Sequence, residues 1–260
     1  MARGFPEPVF GGRPRQARSG APGGPSRCWA SRGAVPRHYR PAVILLENVK
    51  QYLTSASLCI LRNQLRDFGY DLHEEVLQAA DWNALEHRER MCMVAVTKGL
   101  SFDFSSLARP KRYERRIGDI LDPVPEDASS WSHMEGLKAK QERDKAKGKG
   151  FAMQIVTAFD TKCPTITKGY AKVRSTDPKL QHPSNPDLLR QFTPTEHARI
   201  KGIPERLVSG LSATLAHELL GQSICYEPFR AVGRLIGAAL KACGAIHIPL
   251  RNQMIGGAVG

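Results

Sequence analysis

The sequence lacks paired cysteines and long apolar runs, and it has fewer acidic residues than basic ones. Its six cysteines form no CxxC pair and show no regular spacing, which argues against a zinc ribbon or a disulfide framework. No apolar run approaches the roughly 18 to 20 residues that span a bilayer, and the N-terminus has no apolar stretch of signal-peptide type. We expect a soluble, cytoplasmic protein with reduced thiols and no metal.

The excess of basic residues points to a polyanionic partner. The 260 residues include 38 Lys+Arg against 25 Asp+Glu, a formal charge of +13. Such a charge favours nucleic acid, although ribosomal and membrane-surface proteins carry it too. The length allows one large domain, with or without a smaller companion.

Residues 1–40 differ in composition from the rest of the chain. They contain seven Gly, six Pro and eight Arg against one acidic residue, Glu7, and have no helix or strand period. We expect this head to be irregular and disordered.

The segment that follows predicts an α/β fold. "PAVILLENV" is typical of a buried parallel strand, residues 49–68 have mostly helical spacing before Gly69, and "YDLHEEVLQ" and "RMCMVAVT" read as two further strands. The pattern weakens between residues 98 and 186, where 138–150 form a charged, exposed segment. In the last third, Thr193, Pro194 and Glu196 form a helix start signal, and two helices separated by "GQS" follow.

The sequence motifs with chemical meaning are few and occur in a definite order. "LLENV" places Glu47 and Asn48 at the carboxyl end of a strand, where α/β enzymes present groups to ligands, although a solvated strand end fits equally well. Arg88 and Arg90 stand two apart before the third strand, so both can point the same way. "RQFTPTEHARIKGIP" and "LLGQSI" come later in the chain.

In this order the segments resemble the DNA (cytosine-5)-methyltransferases over about Pro41 to Leu240. The resemblance rests on a Glu-Asn-Val block, a Gln-x-Arg-x-Arg block, an Arg-x-Leu-Thr-x-x-Glu-x-x-Arg-x-x-Gly-x-Pro block and a closing Gly-Asn-Ser-Val block. The third block is the most specific, and its positions in register are Arg190, Thr193, Glu196, Arg199, Gly202 and Pro204. It implies a partial Rossmann-like, S-adenosylmethionine-dependent methyltransferase sheet with a small target-recognition domain. The implied substrate is double-stranded DNA. The resemblance also implies a role in restriction-modification and, if the source is prokaryotic, association with the nucleoid.

The resemblance also implies residue roles. A cysteine thiolate adds to C6 of a flipped cytosine, and C5 then takes the methyl group from S-adenosylmethionine. Glu47 matches the acid at N3, Asn48 helps hold the site, Arg90 contacts the base, and Arg88 is structural or faces phosphate. The following roles are also implied: DNA contacts by Thr165, Thr167, Lys168, Tyr170, Lys172 and Arg174, and cofactor contacts by Gly221, Gln222 and Ser223.

The resemblance further predicts how the chain is divided. Residues 41–97 form the second half of the catalytic domain, 98–189 the target-recognition region, 190–243 the helices that return to the catalytic domain, and 244–260 a tail. Without the first strands of the sheet, we expect an uncovered sheet edge and apolar face, which lower solubility.

Several departures from the family pattern limit the expected activity. Glu86 replaces Gln and Gln222 replaces Asn, and both changes are tolerable. No Phe-x-Gly-x-Gly turn or Pro-Cys-Gln nucleophile motif precedes Glu47. Cys28 reads as a free thiol and Cys59 as a core residue. "GFPEPVFGGRP", around Glu7, resembles the nucleophile loop without its Cys-Gln pair, or matches it by chance.

Two interpretations therefore stay open. In one, the chain is the C-terminal portion of a methyltransferase, truncated and inactive alone, whose reading frame starts late or is shifted upstream of about Arg40. In the other, it is a non-catalytic DNA-binding module, or one half of a split enzyme that needs a complementary chain. A generic basic α/β binding protein is disfavoured by the ordered motifs.

Overall fold

The structure is a computed structural model that describes residues 40–244. Within this range three longer strands form one sheet, three short strands form a second, and five α-helices accompany them. Their bounds are β1 Val43–Val49, α1 Ala56–Asp67, β2 Tyr70–Gln78, β3 Glu89–Thr97, α2 Glu135–Ala146, β4 Ile155–Val156, β5 Lys179–Gln181, β6 Leu189–Arg190, α3 Pro194–Ile200, α4 Ala213–Gln222 and α5 Tyr226–Ala242. In this part of the chain no helix is long and apolar enough to cross a membrane.

The larger sheet has the strand order β1-β3-β2, and β3 runs antiparallel to both neighbours. β1 and β2 are therefore parallel to each other, so their carboxyl ends and the start of β3 meet at one end of the sheet. The prediction that β1 is a buried parallel strand is wrong in two respects. Its partner is antiparallel, and only Leu46 of its seven residues is buried.

α1 covers one face of this sheet. Ser55 accepts a hydrogen bond from the backbone N–H of Leu58 and caps the helix, while Gly69 adopts φ +84° just beyond its end. The helix is thus shorter than predicted, because residues 50–54 form a 3₁₀ turn before Ser55. Its buried leucines pack on alternate residues of the strands, and these core residues are Leu46, Leu58, Leu61, Leu65, Met91, Met93 and Ala95.

α5 covers the opposite face. Phe229 and Val232 of this helix pack against Val94 and Val96 of β3 and against Leu77 of β2. The cover over β1 is incomplete: Val43 packs against this core, whereas Leu45 and Val49 on the same face are 45% and 44% exposed. No described residue pairs with the outer edge of β1. The predicted uncovered edge and apolar face are therefore present within residues 40–244.

The segment between β3 and α3 builds a second core around the small sheet. β4 pairs parallel to β5, and β5 pairs antiparallel to β6. α2 has no buried residue, as its charged sequence predicts. The second core consists of Leu85, Ile117, Ile120, Val156, Cys163, Ile166, Tyr170, Leu180, Phe192 and Ile200.

α3 begins as its sequence predicts. Thr193 and Glu196 form a capping box, and the first helical residue is Pro194. Arg190 donates two hydrogen bonds of 2.7 and 2.6 Å to the buried Glu196, and Arg199 contacts Asp122 at 2.7 Å. These side chains therefore hold α3 against neighbouring segments. The two C-terminal helices are also confirmed, but their break lies at residues 223–225, since Gly221 and Gln222 belong to α4.

Candidate functional site

Glu47 and Arg90 form an ion pair at the carboxyl end of β1. The Nε atom of Arg90 lies 2.9 Å from Oε1 of Glu47, and both side chains are partly accessible. The strand register produces the pairing, because Glu47 lies opposite Cys92 and Val49 lies opposite Arg90. Glu47 and Arg90 are thus diagonal neighbours on one face of the sheet. Burial, followed by the charge of Arg88, lowers the pKa of Arg90.

Asn48 lies beside this pair but turns back to its own backbone. Its Oδ1 atom accepts a 2.8 Å hydrogen bond from the N–H of Val49. The amide side chain therefore shapes the end of the strand, and the role of Asn48 in holding the site stays a prediction.

Arg88 has a structural position. It is 8% exposed, and its Nη2 donates to the backbone carbonyl of Ser223, 3.0 Å away. Arg88 thereby joins the start of β3 to the break between α4 and α5. A phosphate-facing role does not fit this burial.

The sequence did not reveal a buried ion pair next to Arg88, whose Nη1 lies 3.9 Å from Oε1 of Glu86. Nζ of Lys201 lies 2.9 and 2.8 Å from the two carboxylate oxygens of Glu86, and each side chain is 1% exposed. Glu86 also accepts a 3.3 Å hydrogen bond from the N–H of Ile166. Three segments separated in the chain therefore meet at one carboxylate. The only signal in the sequence was that Glu86 stands where the family pattern has Gln. This departure did not identify Lys201 as its partner.

Three of the predicted DNA-contacting residues line one cleft. Lys168, Lys172 and Arg174 surround a recess of about 260 Å³ together with Thr214 and Glu218 of α4, and we call it the recognition cleft. The three cationic side chains are exposed. The structure thus collects a cationic surface from a segment whose regular structure is limited to a 3₁₀ turn at Tyr170–Lys172.

The other predicted contacts in this segment are tied to the protein. Thr165 donates its hydroxyl to the carbonyl of His87 at 3.0 Å, and the N–H of Thr167 donates to Asp177 at 3.0 Å. Tyr170 is fully buried, and its hydroxyl donates to the carbonyl of Pro178. The expected DNA contact by Tyr170 is therefore wrong, because the ring belongs to the second core.

The residues expected to bind the cofactor only partly fit that role. A Cβ on Gly221 would lie 2.2 Å from the backbone nitrogen of Lys168, so the backbone at Thr167 and Lys168 already occupies that side. The hydroxyl of Ser223 donates to Leu220 and its carbonyl accepts from Arg88. Gln222 is exposed and contacts Glu218. Gly221 and Ser223 thus make protein contacts, and only Gln222 presents its side chain to solvent.

None of the described cysteines has the properties of an activated nucleophile. Cys92, Cys163 and Cys225 are buried, and burial raises the pKa of each thiol, to about 12 for Cys92. Cys59 is exposed on α1, so the prediction that it is a core residue is wrong. Glu7 and Cys28 lie outside the described residues. Within residues 40–244, no cluster of three or more His, Cys, Asp or Glu could hold a metal ion.

The fold and site together define a class of protein. A carboxylate and an arginine meet where the edge strand β1 ends, and a cationic cleft lies in a separate segment of the chain, which describes an α/β enzyme or module acting on nucleic acid. The family model described as "C-5 cytosine-specific DNA methylase" matches residues 33–238, so the chain belongs to this family. The match begins eight residues before Pro41 and so includes the end of the predicted irregular head.

Individual relatives agree with this assignment. Type II methyltransferase M.NlaX of Neisseria lactamica is 31% identical over 209 residues, which make up 78% of this chain and 65% of that protein. The tRNA (cytosine(38)-C(5))-methyltransferase of Schizosaccharomyces pombe is 28% identical over 207 residues, covering 71% and 60%. The chain spans between about half and two thirds of the length of the type II relatives.

Solved structures share the fold. The S. pombe Dnmt2 methyltransferase has a TM-score of 0.63 and 26% identity, with 82% of this chain and 71% of that chain covered. Entamoeba histolytica EhMeth has a TM-score of 0.57 at 23% identity, covering 78% and 63%. The family generally uses S-adenosylmethionine, and the fold is that of an S-adenosylmethionine-dependent methyltransferase.

Proposed function

We propose that this chain binds a cytosine flipped out of duplex DNA and activates it for methylation at C5. The observation that carries the proposal is the 2.9 Å contact between Glu47 and Arg90 at the carboxyl end of β1. These are the acidic and cationic groups that the reaction needs beside one pyrimidine. The type II relatives favour DNA and a restriction-modification role, and therefore a cytoplasmic, nucleoid-associated protein in a prokaryote.

The roles of the two residues follow from the chemistry of cytosine. Addition of a thiolate to C6 places electron density on the ring, which a proton held by Glu47 at N3 and the charge of Arg90 at the carbonyl oxygen stabilise. C5 then attacks a methyl group, and loss of the C5 proton followed by elimination of the thiolate restores the ring. S-adenosylmethionine, when bound, supplies the methyl group.

The recognition cleft supplies the contact with DNA in this proposal. Lys168, Lys172 and Arg174 are exposed around it and offer cationic donors for phosphates and base edges. The hydroxyls of Thr165 and Thr167 would have to move from their present positions to contact DNA. We therefore assign the principal DNA contacts in this segment to the three cationic residues.

We further propose that the chain alone does not turn over. The described thiols are either buried with raised pKa values or exposed on α1 and just after α5, and no Pro-Cys-Gln motif occurs anywhere in the sequence. The uncovered edge of β1 offers backbone groups to a further strand. A complementary chain that carries the thiol and the first strands would complete the site.

A reconstitution experiment tests the function. The full chain is mixed with a separately produced segment containing the Pro-Cys-Gln and Phe-x-Gly-x-Gly motifs of a type II relative, with labelled S-adenosylmethionine and duplex DNA. We expect transfer to cytosine C5 only in the mixture, and loss of transfer with Glu47→Gln, while Glu89→Gln at a neighbouring, partly exposed carboxylate serves as the control. Transfer by the chain alone would contradict the missing-thiol argument.

The alternative, a non-catalytic DNA-binding module, is favoured by the same absence of a thiol. It predicts DNA binding without methyl transfer in every mixture, and equal DNA affinity for Glu47→Gln and the unaltered chain. Competition between duplex DNA and tRNA in the same binding assay tests the choice of nucleic acid.

A further inference from the structure

We propose a second nucleic-acid contact, separate from the recognition cleft, in which Arg112, Arg115 and Lys162 bind phosphates of duplex DNA. The inference rests on the proposed function only in taking DNA as the polyanion. Residues 109–116, "RPKRYERR", are named here the arginine loop. They carry five basic residues against the single acidic Glu114.

The arginine loop lines a cleft of about 350 Å³, named here the loop cleft. Its other walls come from the turn after β2, from residues 85–87 before β3, and from Thr161 and Lys162. Arg112, His87 and Lys162 are exposed, and Tyr113 on the rim is 62% exposed. A cationic recess with an accessible aromatic ring has the chemistry of a nucleic-acid backbone site.

The cations of this cleft are not neutralised by the protein. Within residues 40–244, no carboxylate forms an ion pair with Arg112, Arg115 or Lys162. The two acidic residues lining the cleft have other partners, since Glu114 contacts Arg116 at 3.1 Å and the buried Glu86 binds Lys201. The cleft therefore presents a net positive charge to a ligand.

The loop is held in place at both ends. Asn83 donates its side-chain amide to the carbonyl of Lys111 at 3.1 Å and accepts from the N–H of Tyr113 at 3.3 Å. At the other end, the N–H of Ile117 donates to Asp160 at 2.8 Å, two residues before Lys162. A loop fixed in this way loses little conformational freedom on binding, which favours a dedicated contact over a solvated surface.

The loop cleft also lies at the correct end of the sheet. β1 and β2 both end where β3 begins, so Glu47, the turn after β2 and His87 share that end. His87 precedes Arg90 by three residues, or about 10 Å of extended chain, which corresponds to roughly three base-pair steps. A duplex that presents its cytosine to Glu47 would pass close to the arginine loop.

The salt dependence of DNA binding tests the inference without requiring methyl transfer. The full chain is titrated onto a fluorescent duplex of about 24 base pairs at salt concentrations from about 50 to 200 mM, and log K is plotted against log salt. The triple variant Arg112→Ala, Arg115→Ala, Lys162→Ala is expected to lower the slope by about 2 to 3, because each lost phosphate contact removes about 0.9. The charge-preserving variant Arg112→Lys, Arg115→Lys should keep it.

A matched control separates local contact from bulk charge. Lys145→Ala, Lys147→Ala, Lys149→Ala removes the same charge from an exposed segment at the end of α2, and its slope should stay within about 1 of the unaltered chain. An unchanged slope in the loop-cleft variant, or an equal loss in the control, overturns this inference while the DNA partner stands. Failure of the unaltered chain to bind DNA, or tighter binding of tRNA through the same residues, overturns both. DNA binding with the predicted slopes but no methyl transfer in the reconstituted mixture leaves the loop cleft supported and removes only the catalytic proposal.

Discussion

Removing one member of the buried Glu86–Lys201 pair should destabilise the fold strongly and in a pH-dependent way. In Glu86→Gln, the ammonium of Lys201 would lose the carboxylate that lies 2.8 and 2.9 Å from it and would stay 1% exposed. Breaking a buried pair in this way costs about 3–5 kcal/mol, because it leaves a charge without compensation. The Gln amide would also place N–H donors opposite the ammonium.

The pH dependence follows from the pKa of Lys201. Burial already lowers this pKa, and Glu86 is the main group that raises it again. Without Glu86, the folded-state pKa falls further below the unfolded value of about 10.4. The folded state then binds fewer protons than the unfolded state, so stability decreases as the pH falls. Between pH 9 and pH 7 the additional loss is at most about 2.7 kcal/mol, because one proton contributes at most about 1.36 kcal/mol per pH unit.

Denaturant unfolding at the two pH values, followed by circular dichroism, measures this effect. The double variant Glu86→Gln, Lys201→Met should recover most of the loss, because no buried charge remains. Lys50→Met is the control, since the Lys50–Glu89 pair is exposed and worth about 0–1 kcal/mol. A loss in Glu86→Gln that does not change with pH, or a double variant as unstable as the single, would refute the reasoning.

Three further outcomes are expected from the packing. Gly221→Ala should cost about 1–3 kcal/mol because its Cβ would meet the recognition-segment backbone 2.2 Å away, whereas Gly237→Ala on α5, with open space around it, should be neutral or stabilising in the same thermal melts. Burial lowers the pKa of His197 to about 2, so the folded state resists protonation and stability falls below pH 6.5, by about 2 kcal/mol at pH 5; His197→Gln should flatten that dependence in acid titrations, and the exposed His87→Gln should not. A thiol reagent applied to the native chain should modify exposed cysteines and spare buried ones, and rapid labelling of a buried thiol would contradict the packing described. Among the described residues, the thiols expected to react are those of Cys59 and Cys243.

Local sequence patterns were sufficient for several elements of the fold. The capping box of α3 requires only Thr193 and Glu196 three residues apart, and the stop at Gly69 requires only a residue that tolerates positive φ. The apolar runs around Leu46 and Val94 likewise mark strands without knowledge of their neighbours. These features depend on interactions within one turn or one strand, which a linear sequence contains.

Contacts between distant segments could not be predicted in the same way. The prediction that β1 is a parallel strand was wrong, because an apolar run does not reveal whether the neighbouring strand is parallel or antiparallel. Tyr170 was assigned to the DNA surface, and its burial follows from packing against segments far along the chain. The partner of Glu86 is 115 residues away, so nothing near it in the sequence indicates an ion pair.

The sequence by itself determined the family, the order of the elements and the residue types available for cytosine chemistry, since ordered motifs and short-range periodicity are properties of the linear chain. Only the tertiary structure decided which of those residues meet. The antiparallel register brings Arg90 to Glu47, and the folding of loops 109–116 and 161–174 onto the sheet end collects cations into two clefts. Such convergence depends on burial and strand pairing across many residues, so it is fixed only when the whole core packs.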